Sequence, residues 1–161
     1  MGSAYVEGGR KPDTLDRMAR LRPGWFVVLG STVLLVSAWL PWLMTNVDGG
    51  GQANAIGGKL GAIDVPPNGF GVGQLIVVLS STLIVAAAMA ARSLYAKSSS
   101  TAALGISVLL AVLVLWYYRL YVAPPVAAGY GLYVGGGAVL ACAVLSVVAM
   151  VAAWSGMGRR R

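Results

Sequence analysis

The residues of this chain that could do chemistry are few, and they do not gather into a recognisable site. The sequence has no histidine, so the commonest general base and the commonest transition-metal ligand are both missing. The single cysteine, Cys142, lies inside an apolar run, and there is no C-x-x-C motif. Five acidic residues lie outside the apolar runs: Glu7, Asp13, Asp16, Asp48 and Asp64. We therefore expect no catalytic residue, no cofactor and no metal site, and interpret the chain as a non-enzyme.

Arg119 is the one charged residue that falls within an apolar run. It follows Trp116, Tyr117 and Tyr118, about one turn from the end of that run. An arginine so placed commonly extends its side chain to the head-group layer of the membrane. It can also contact a lipid phosphate or an acidic partner. Both interpretations remain open, and Arg119, Trp116 and Tyr118 are our candidate contacts for a partner or a lipid head group.

The elements that must position these residues are membrane helices. Apolar residues make up 58% of the chain and charged residues 11%, whereas a soluble domain has roughly 25% charged residues. Four runs reach the ~20 mainly apolar residues that a helix needs to cross a bilayer, and they cover about 24–44, 70–91, 102–122 and 131–154. The runs do not alternate as barrel strands do. We predict an all-α protein, a bundle of four transmembrane helices forming one membrane domain over 24–154.

The distribution of charge predicts the orientation of this bundle. Basic residues flanking membrane helices stay in the cytoplasm. Ten of the twelve lie on one side: Arg10, Lys11, Arg17, Arg20, Arg22, Arg92, Lys97, Arg159, Arg160 and Arg161. Both termini and the 92–101 loop are therefore predicted to be cytoplasmic, in a multi-pass protein of the inner (plasma) membrane. Charges clustered at the chain ends suit lipid head groups and not nucleic acid.

Aromatic residues are expected at the borders of the membrane, because their rings prefer the head-group layer. Trp25 and Trp154 mark the predicted inner border. The predicted outer border has Trp39, Trp42, Trp116, Tyr117, Tyr118, Tyr121, Tyr130 and Tyr133. These positions agree with the orientation given by the basic residues.

Three segments at or beyond the membrane borders carry further expectations. The N-terminal segment 1–23 either forms a short basic interfacial helix or is a disordered tail. The outer loop 45–69 is so rich in glycine that we expect a flexible loop, ordered by a partner if at all.

Pro41 is expected to end the first helix at the interface, with a functional kink as the alternative. A signal peptide is disfavoured, because the first apolar run continues past the candidate cleavage site at Val36-Ser37-Ala38.

Small residues in the fourth run predict close helix packing. Lipid gives helices no hydrophobic reason to associate, so their backbones must approach closely. Gly131 and Gly135 form a G-x-x-x-G motif, and Gly137 and Ala141 continue a small face. We take these four as helix-packing residues. The motif does not say whether the partner is an internal helix or another subunit.

Several of these segments together resemble a known group of proteins. They are Trp39-Leu40-Pro41-Trp42, the glycine-rich outer loop, and the Gly129–Gly137 stretch that opens the fourth helix. Nearly the whole chain resembles the small four-span membrane proteins of actinobacteria, including mycobacteria, and its size and topology resemble accessory subunits of the Mce-type lipid importers. The resemblance implies a non-catalytic accessory or assembly subunit of a larger cell-envelope complex, such as a lipid transporter. Its partners would then be other integral membrane proteins, and no residue role transfers from the group.

A small oligomeric transporter or channel is the alternative function. Ion or proton coupling generally needs an ionisable group at membrane depth, and no acid lies in the apolar runs. A polar stripe would favour a channel, but the second run offers only the short patch Ser80, Ser81 and Thr82. An accessory subunit is therefore the preferred expectation.

Overall fold

The structure, a computed structural model, describes residues 23–47, 49–67, 69–92 and 95–155. Its helices are α1 (Pro23–Ser37), α2 (Val72–Ala91), α3 (Ala96–Tyr121) and α4 (Tyr130–Ser155). Three of them, α2 to α4, are long and apolar enough to cross a bilayer, whereas α1 is a shorter apolar helix. The prediction of a mostly helical chain is confirmed, and the length and composition of these three helices indicate a membrane protein. The predicted interfacial helix before Pro23 and the basic C-terminus lie outside the described residues.

The four helices form a ring in the order α1, α2, α3, α4, each packed mainly against two neighbours. Small residues bring the backbones together at the crossings. A Cβ added to Gly24 of α1 would lie 3.0 Å from the Cβ of Ala91 on α2. A Cβ added to Gly30 would lie 2.6 Å from the sulfur of Cys142 on α4. The first helix is therefore held on both sides by contacts that a larger residue would disrupt.

The first helix ends earlier than the hydropathy predicts, at Ser37 and not at about Met44. Pro41 explains the difference. Its nitrogen has no hydrogen to donate to the carbonyl of Ser37, the bond that would continue the helix. The chain turns over residues 38–40 and proceeds as strand β1 (Pro41–Thr45). Since Pro41 lies outside the helix, the alternative of a functional kink in the first helix is wrong.

The segment 45–69, expected to be a flexible loop, contains two of the four strands of a small antiparallel sheet. Its strands are β1, β2 (Gly51–Asn54), β3 (Lys59–Gly61) and β4 (Val126–Ala128), in the order β3-β2-β1-β4. Strand β1 pairs with β2 across a hairpin, and on its other edge with β4, which joins α3 to α4. The sheet thus lies at the end of the bundle where α1 and α3 end and α2 and α4 begin. The prediction of an all-α protein is therefore correct for the four helices, but it does not include this sheet.

Glycine helps this sheet to form, although it is a poor strand residue in general. Gly50 and Gly61 both have positive φ, +83° and +80°, a region that glycine reaches without steric strain. The carbonyl of Gly50 accepts the amide of Ala62 at 3.1 Å. The glycines that predicted flexibility therefore supply the turns of an ordered segment.

The third helix begins at Ala96, before the predicted boundary near residue 102. Hydroxyls in its first turns bond back to carbonyl oxygens, Ser99 to Tyr95 and Thr101 to Lys97, both at 2.9 Å. The hydroxyls of these side chains find their hydrogen-bond acceptors on the same helix, so the polar Ser98–Thr101 stretch does not interrupt the helix. Nearby, the Lys97 ammonium lies 5.1 Å from the ring centroid of Trp154, a cation–π contact at the end of the bundle opposite the sheet.

Candidate partner and lipid surfaces

Trp42 ties the end of α1 to the rest of the bundle. Its side chain is fully buried, and its Nε1–H donates to the carbonyl of Ser37 at 2.7 Å. Its ring meets that of Tyr117 edge-on, with centroids 5.1 Å apart and an angle of 89°. Both residues lie at the sheet end, the predicted outer end, but their rings are buried inside the protein and do not face the head-group layer. The exposed aromatics at this end are Trp39, Phe70, Trp116, Tyr118, Tyr130 and Tyr133.

Gly131 and Gly135, two of the four predicted packing residues, are buried against the first part of the same chain. A Cβ on Gly131 would lie 2.8 Å from Cδ1 of Trp42. A Cβ on Gly135 would lie 2.8 Å from Cζ2 of Trp42 and 2.9 Å from Oγ of Ser37. Both positions need glycine, because a Cβ at these distances would displace the indole. For the G-x-x-x-G motif the structure therefore places the packing contact inside the chain.

Gly137 and Ala141, the other two predicted packing residues, are exposed. A Cβ added to Gly137 would have no heavy atom within 4 Å. The two residues lie one turn apart on α4, the spacing at which small residues allow close approach of a second helix. Within the described part of the chain, nothing packs on this small-residue face at Gly137.

An apolar groove of about 580 Å³ runs between α3 and α4 on the outside of the bundle. The wall on α3 runs from Val108 to Tyr118, and the wall on α4 runs from Leu132 to Ala143. Gly136 forms part of its floor, since a Cβ there would be 4.0 Å from Cγ1 of Val114. The lining is almost entirely apolar, with two tyrosines at the sheet end.

Arg119, Trp116 and Tyr118, the predicted head-group or partner contacts, are all exposed at the sheet end of α3. Tyr118 also lines the groove, whereas Trp116 does not. Of the five acidic residues, Asp64 is the one that lies within the described ranges. The guanidinium of Arg119 forms no ion pair with Asp64. The positive charge of Arg119 is therefore available to a group outside the described chain.

Small polar side chains connect the helices inside the bundle. The hydroxyls of Ser107 on α3 and Ser146 on α4 lie 3.2 Å apart. The hydroxyl of Ser31 on α1 lies 3.7 Å from the sulfur of Cys142 on α4. These two pairs are polar contacts between helices. Ser107 and Ser31 also donate to carbonyls of their own helices. In the described ranges no three metal-binding side chains come together.

Sequence reasoning missed two residues beneath the sheet. Gln74, in the first turn of α2, accepts the amide of Gly71 with Oε1, and its Nε2 donates to the carbonyl of Ile56 at 2.9 Å. It caps α2 and ties that helix to the chain after β2. The signal for it was a glutamine at the start of an apolar run. Tyr117 is fully buried, and its hydroxyl has no hydrogen-bond partner among the described residues.

Comparison with protein-family models, with curated proteins and with solved structures gives no significant match to this chain. The resemblance to actinobacterial four-span proteins therefore rests on the sequence features alone. What the chain does must be argued from its own surfaces: the Gly137–Ala141 face of α4, the groove between α3 and α4, and the exposed arginine beside that groove.

Proposed function

We propose that this chain is a non-catalytic accessory or assembly subunit of a larger membrane complex of the cell envelope, such as a lipid transporter. The observation that carries the proposal is the exposed small-residue face formed by Gly137 and Ala141 on α4. In lipid, helices associate where small residues let their backbones come close. The occupant that suits this face is a transmembrane helix of another integral membrane protein.

Helix α4 has small residues on two faces, one directed into the bundle and one exposed. Gly131 and Gly135 face Trp42, and the fold of the chain requires them there. Gly137 has open space above it, and Ala141 is exposed one turn further along. Since the packing of the chain itself does not require a small residue at Gly137, a contact with a second protein supplies the reason for it.

The chemistry of the helices favours a binding role over transport. In the described helices the charged residues are Lys97 and Arg119, each near a helix end, whereas ion or proton coupling generally uses an ionisable group at membrane depth. The polar patch on α2 is committed to its own helix. Ser80, Ser81 and Thr82 donate to carbonyls four residues earlier, at 2.6, 3.1 and 3.0 Å.

We further propose four crossings of the plasma membrane, with both termini in the cytoplasm. The 15 residues of α1 extend about 22 Å, less than the ~30 Å of the hydrocarbon core. The chain continues beyond α1 as the extended residues of β1, which add to the distance that it covers. In addition, α1 packs between α2 and α4 as a full member of the ring of helices. Arg92 and Lys97 lie at the end opposite the sheet, which supports a cytoplasmic location for that end.

Affinity purification of the tagged chain from its native membranes in mild detergent, with mass spectrometry, tests the proposal. We expect one or more integral membrane proteins at a fixed ratio. Replacing Ala141 with leucine should remove them, because the larger side chain separates the helices. Ala102 is an exposed alanine on α3, and its replacement with leucine is the matched control that should retain them.

Two results would contradict the proposal. Equal recovery of partners with Ala141→Leu and Ala102→Leu would show that the face of α4 is not the docking surface. Recovery of the chain solely as a homo-oligomer, together with substrate flux in vesicles that contain it, would establish a small transporter or channel instead.

A further inference from the structure

The groove between α3 and α4 is confined to the half of the bundle nearer the sheet. On α3 its lining extends from Val108 to Tyr118, although the helix begins at Ala96. On α4 it ends at Ala143, although the helix continues to Ser155. At 1.5 Å per residue the wall on α3 is about 15 Å long. This is half of the ~30 Å hydrocarbon core, so the groove has the depth of one leaflet.

A positive charge and two phenol rings lie at the sheet end of the groove. Arg119 follows Leu115 by four residues, so it continues the face of α3 that lines the groove. The Cα–Cβ bonds of a helix tilt toward its N-terminus, which starts the Arg119 side chain over the turn of Leu115. Tyr118 and Tyr133 line this end, and tyrosine prefers the head-group layer. The exposed guanidinium forms no ion pair within the described chain.

We infer that this groove binds an anionic phospholipid of the leaflet on the sheet side. One acyl chain lies between α3 and α4, and the phosphate accepts hydrogen bonds from the guanidinium of Arg119, which can bind two oxygens at once. The apolar lining fits the acyl chain, the charge fits the phosphate, and the depth fits one leaflet. A transmembrane helix from a partner would need a surface along the whole span, and the groove stops halfway. The groove shares Gly137 with the proposed docking face, but Ala141 lies outside the groove and Arg119 lies outside that face, so Ala141→Leu tests the proposed function and Arg119→Gln tests this inference separately.

Photolabelling of the full-length chain in vesicles tests this site. The vesicles consist of phosphatidylcholine with a trace of phosphatidylglycerol that carries a diazirine on one acyl chain. After irradiation, mass spectrometry should find the label concentrated on groove residues such as Leu115 and Leu140. A phosphatidylcholine probe with the same diazirine should label these residues about fivefold less, the factor expected for one arginine near an anionic head group.

Two substitutions with matched controls locate the site. Arg119→Gln should reduce labelling of the groove by phosphatidylglycerol about fivefold, whereas Arg92→Gln, an exposed arginine at the other end of the bundle, should not. Gly136→Leu should reduce it by filling the groove, and the new Cβ would lie 4.0 Å from its nearest neighbour, Cγ1 of Val114, which is an ordinary van der Waals distance. Gly105→Leu, at a glycine with open space outside the groove, is its control.

The inference is overturned if the label spreads evenly over the exposed helix faces. It is also overturned if Arg119→Gln and Arg92→Gln are labelled equally, or if the two lipid probes label the groove equally. Because Arg119 is exposed and its replacement leaves the packing intact, a loss of labelling in that variant cannot be ascribed to misfolding. A thermal unfolding curve for each variant in the same detergent checks this directly.

Discussion

The indole nitrogen of Trp42 lies 2.7 Å from the carbonyl oxygen of Ser37, and this hydrogen bond closes the end of α1. In a continuing helix the amide of residue 41 would donate to that oxygen, but Pro41 has no amide hydrogen. The indole of the next residue takes its place, together with the amide of Leu40 at 3.0 Å. The carbonyl of Ser37 thus keeps two donors at the point where the apolar run changes from helix to strand.

Replacing Trp42 with phenylalanine should destabilise the protein by about 1 kcal/mol, the usual contribution of one hydrogen bond. The loss stays moderate because Leu40 continues to donate to the same carbonyl. Thermal unfolding of the purified chain in detergent measures it. Trp39→Phe is the control, since Trp39 is 61% exposed and should change the midpoint little. Equal midpoints for the two variants would contradict the role given to the indole.

Hydropathy was sufficient to predict α2 and α4. The predicted spans 70–91 and 131–154 agree with Val72–Ala91 and Tyr130–Ser155 to within two residues. Both are long apolar runs whose ends are marked by glycine, polar residues or a change of composition. The physical rule that a bilayer imposes, about 20 apolar residues per helix, therefore fixes most of the helical architecture.

The sheet could not be predicted because its pairing is both short and distant. Strand β4 has three residues, and its register pairs Leu43 with Ala128 and Thr45 with Val126, across more than eighty positions of sequence. No alternating pattern marks Pro41–Thr45, which hydropathy assigns to the membrane. The spacing of Gly131 and Gly135 predicts a packing face, but the sequence does not show that its main contact, Trp42, is buried inside the chain.

A comparison of two glycines on α4 tests this packing. A Cβ at Gly135 would lie 2.8 Å from the ring of Trp42, whereas a Cβ at Gly137 would meet nothing within 4 Å. Gly135→Ala should therefore destabilise the purified chain by about 1–3 kcal/mol, the usual effect of overpacking. Gly137→Ala should be neutral or stabilising by about 0.5–1 kcal/mol through helix propensity. The thermal unfolding midpoints of the two variants in detergent measure these effects. Equal effects at the two positions would contradict the assigned contacts.

Tyr117→Phe tests the buried hydroxyl that has no partner in the described chain. Burial of an unpaired hydroxyl costs about 1–3 kcal/mol, and phenylalanine keeps the ring that packs on Trp42. We expect a midpoint of unfolding equal to that of the unsubstituted protein, or higher. A lower midpoint would show that a group outside the described residues satisfies the hydroxyl, in the small adjoining cavity lined by Gln74 and Tyr121. Tyr118→Phe, at an exposed tyrosine of the same helix, is the control.

Cysteine labelling with an impermeant thiol reagent tests the proposed orientation. Ala62 and Ala127 are exposed at the sheet end, and Ser98 is exposed at the opposite end. Single cysteines at 62 and 127 should be labelled in intact cells, and one at 98 should be labelled only after the cells are permeabilised. The unsubstituted chain gives the background, because its own Cys142 is buried. Labelling at 98 with protection at 62 and 127 would mean that the protein has the opposite orientation.

The number of crossings depends on α1, and a cysteine ahead of that helix decides it. Positions 62 and 127 share one side whether or not α1 crosses, because β1 pairs with both β2 and β4. A cysteine replacing Ser3 does distinguish the cases. If α1 crosses, Ser3→Cys is protected in intact cells like Ser98→Cys, and both react after permeabilisation. Reaction of Ser3→Cys from outside, with Ser98→Cys still protected, would mean three crossings and would place the N-terminus on the sheet side. The positive charges before α1 favour the first result, since basic flanks are retained in the cytoplasm.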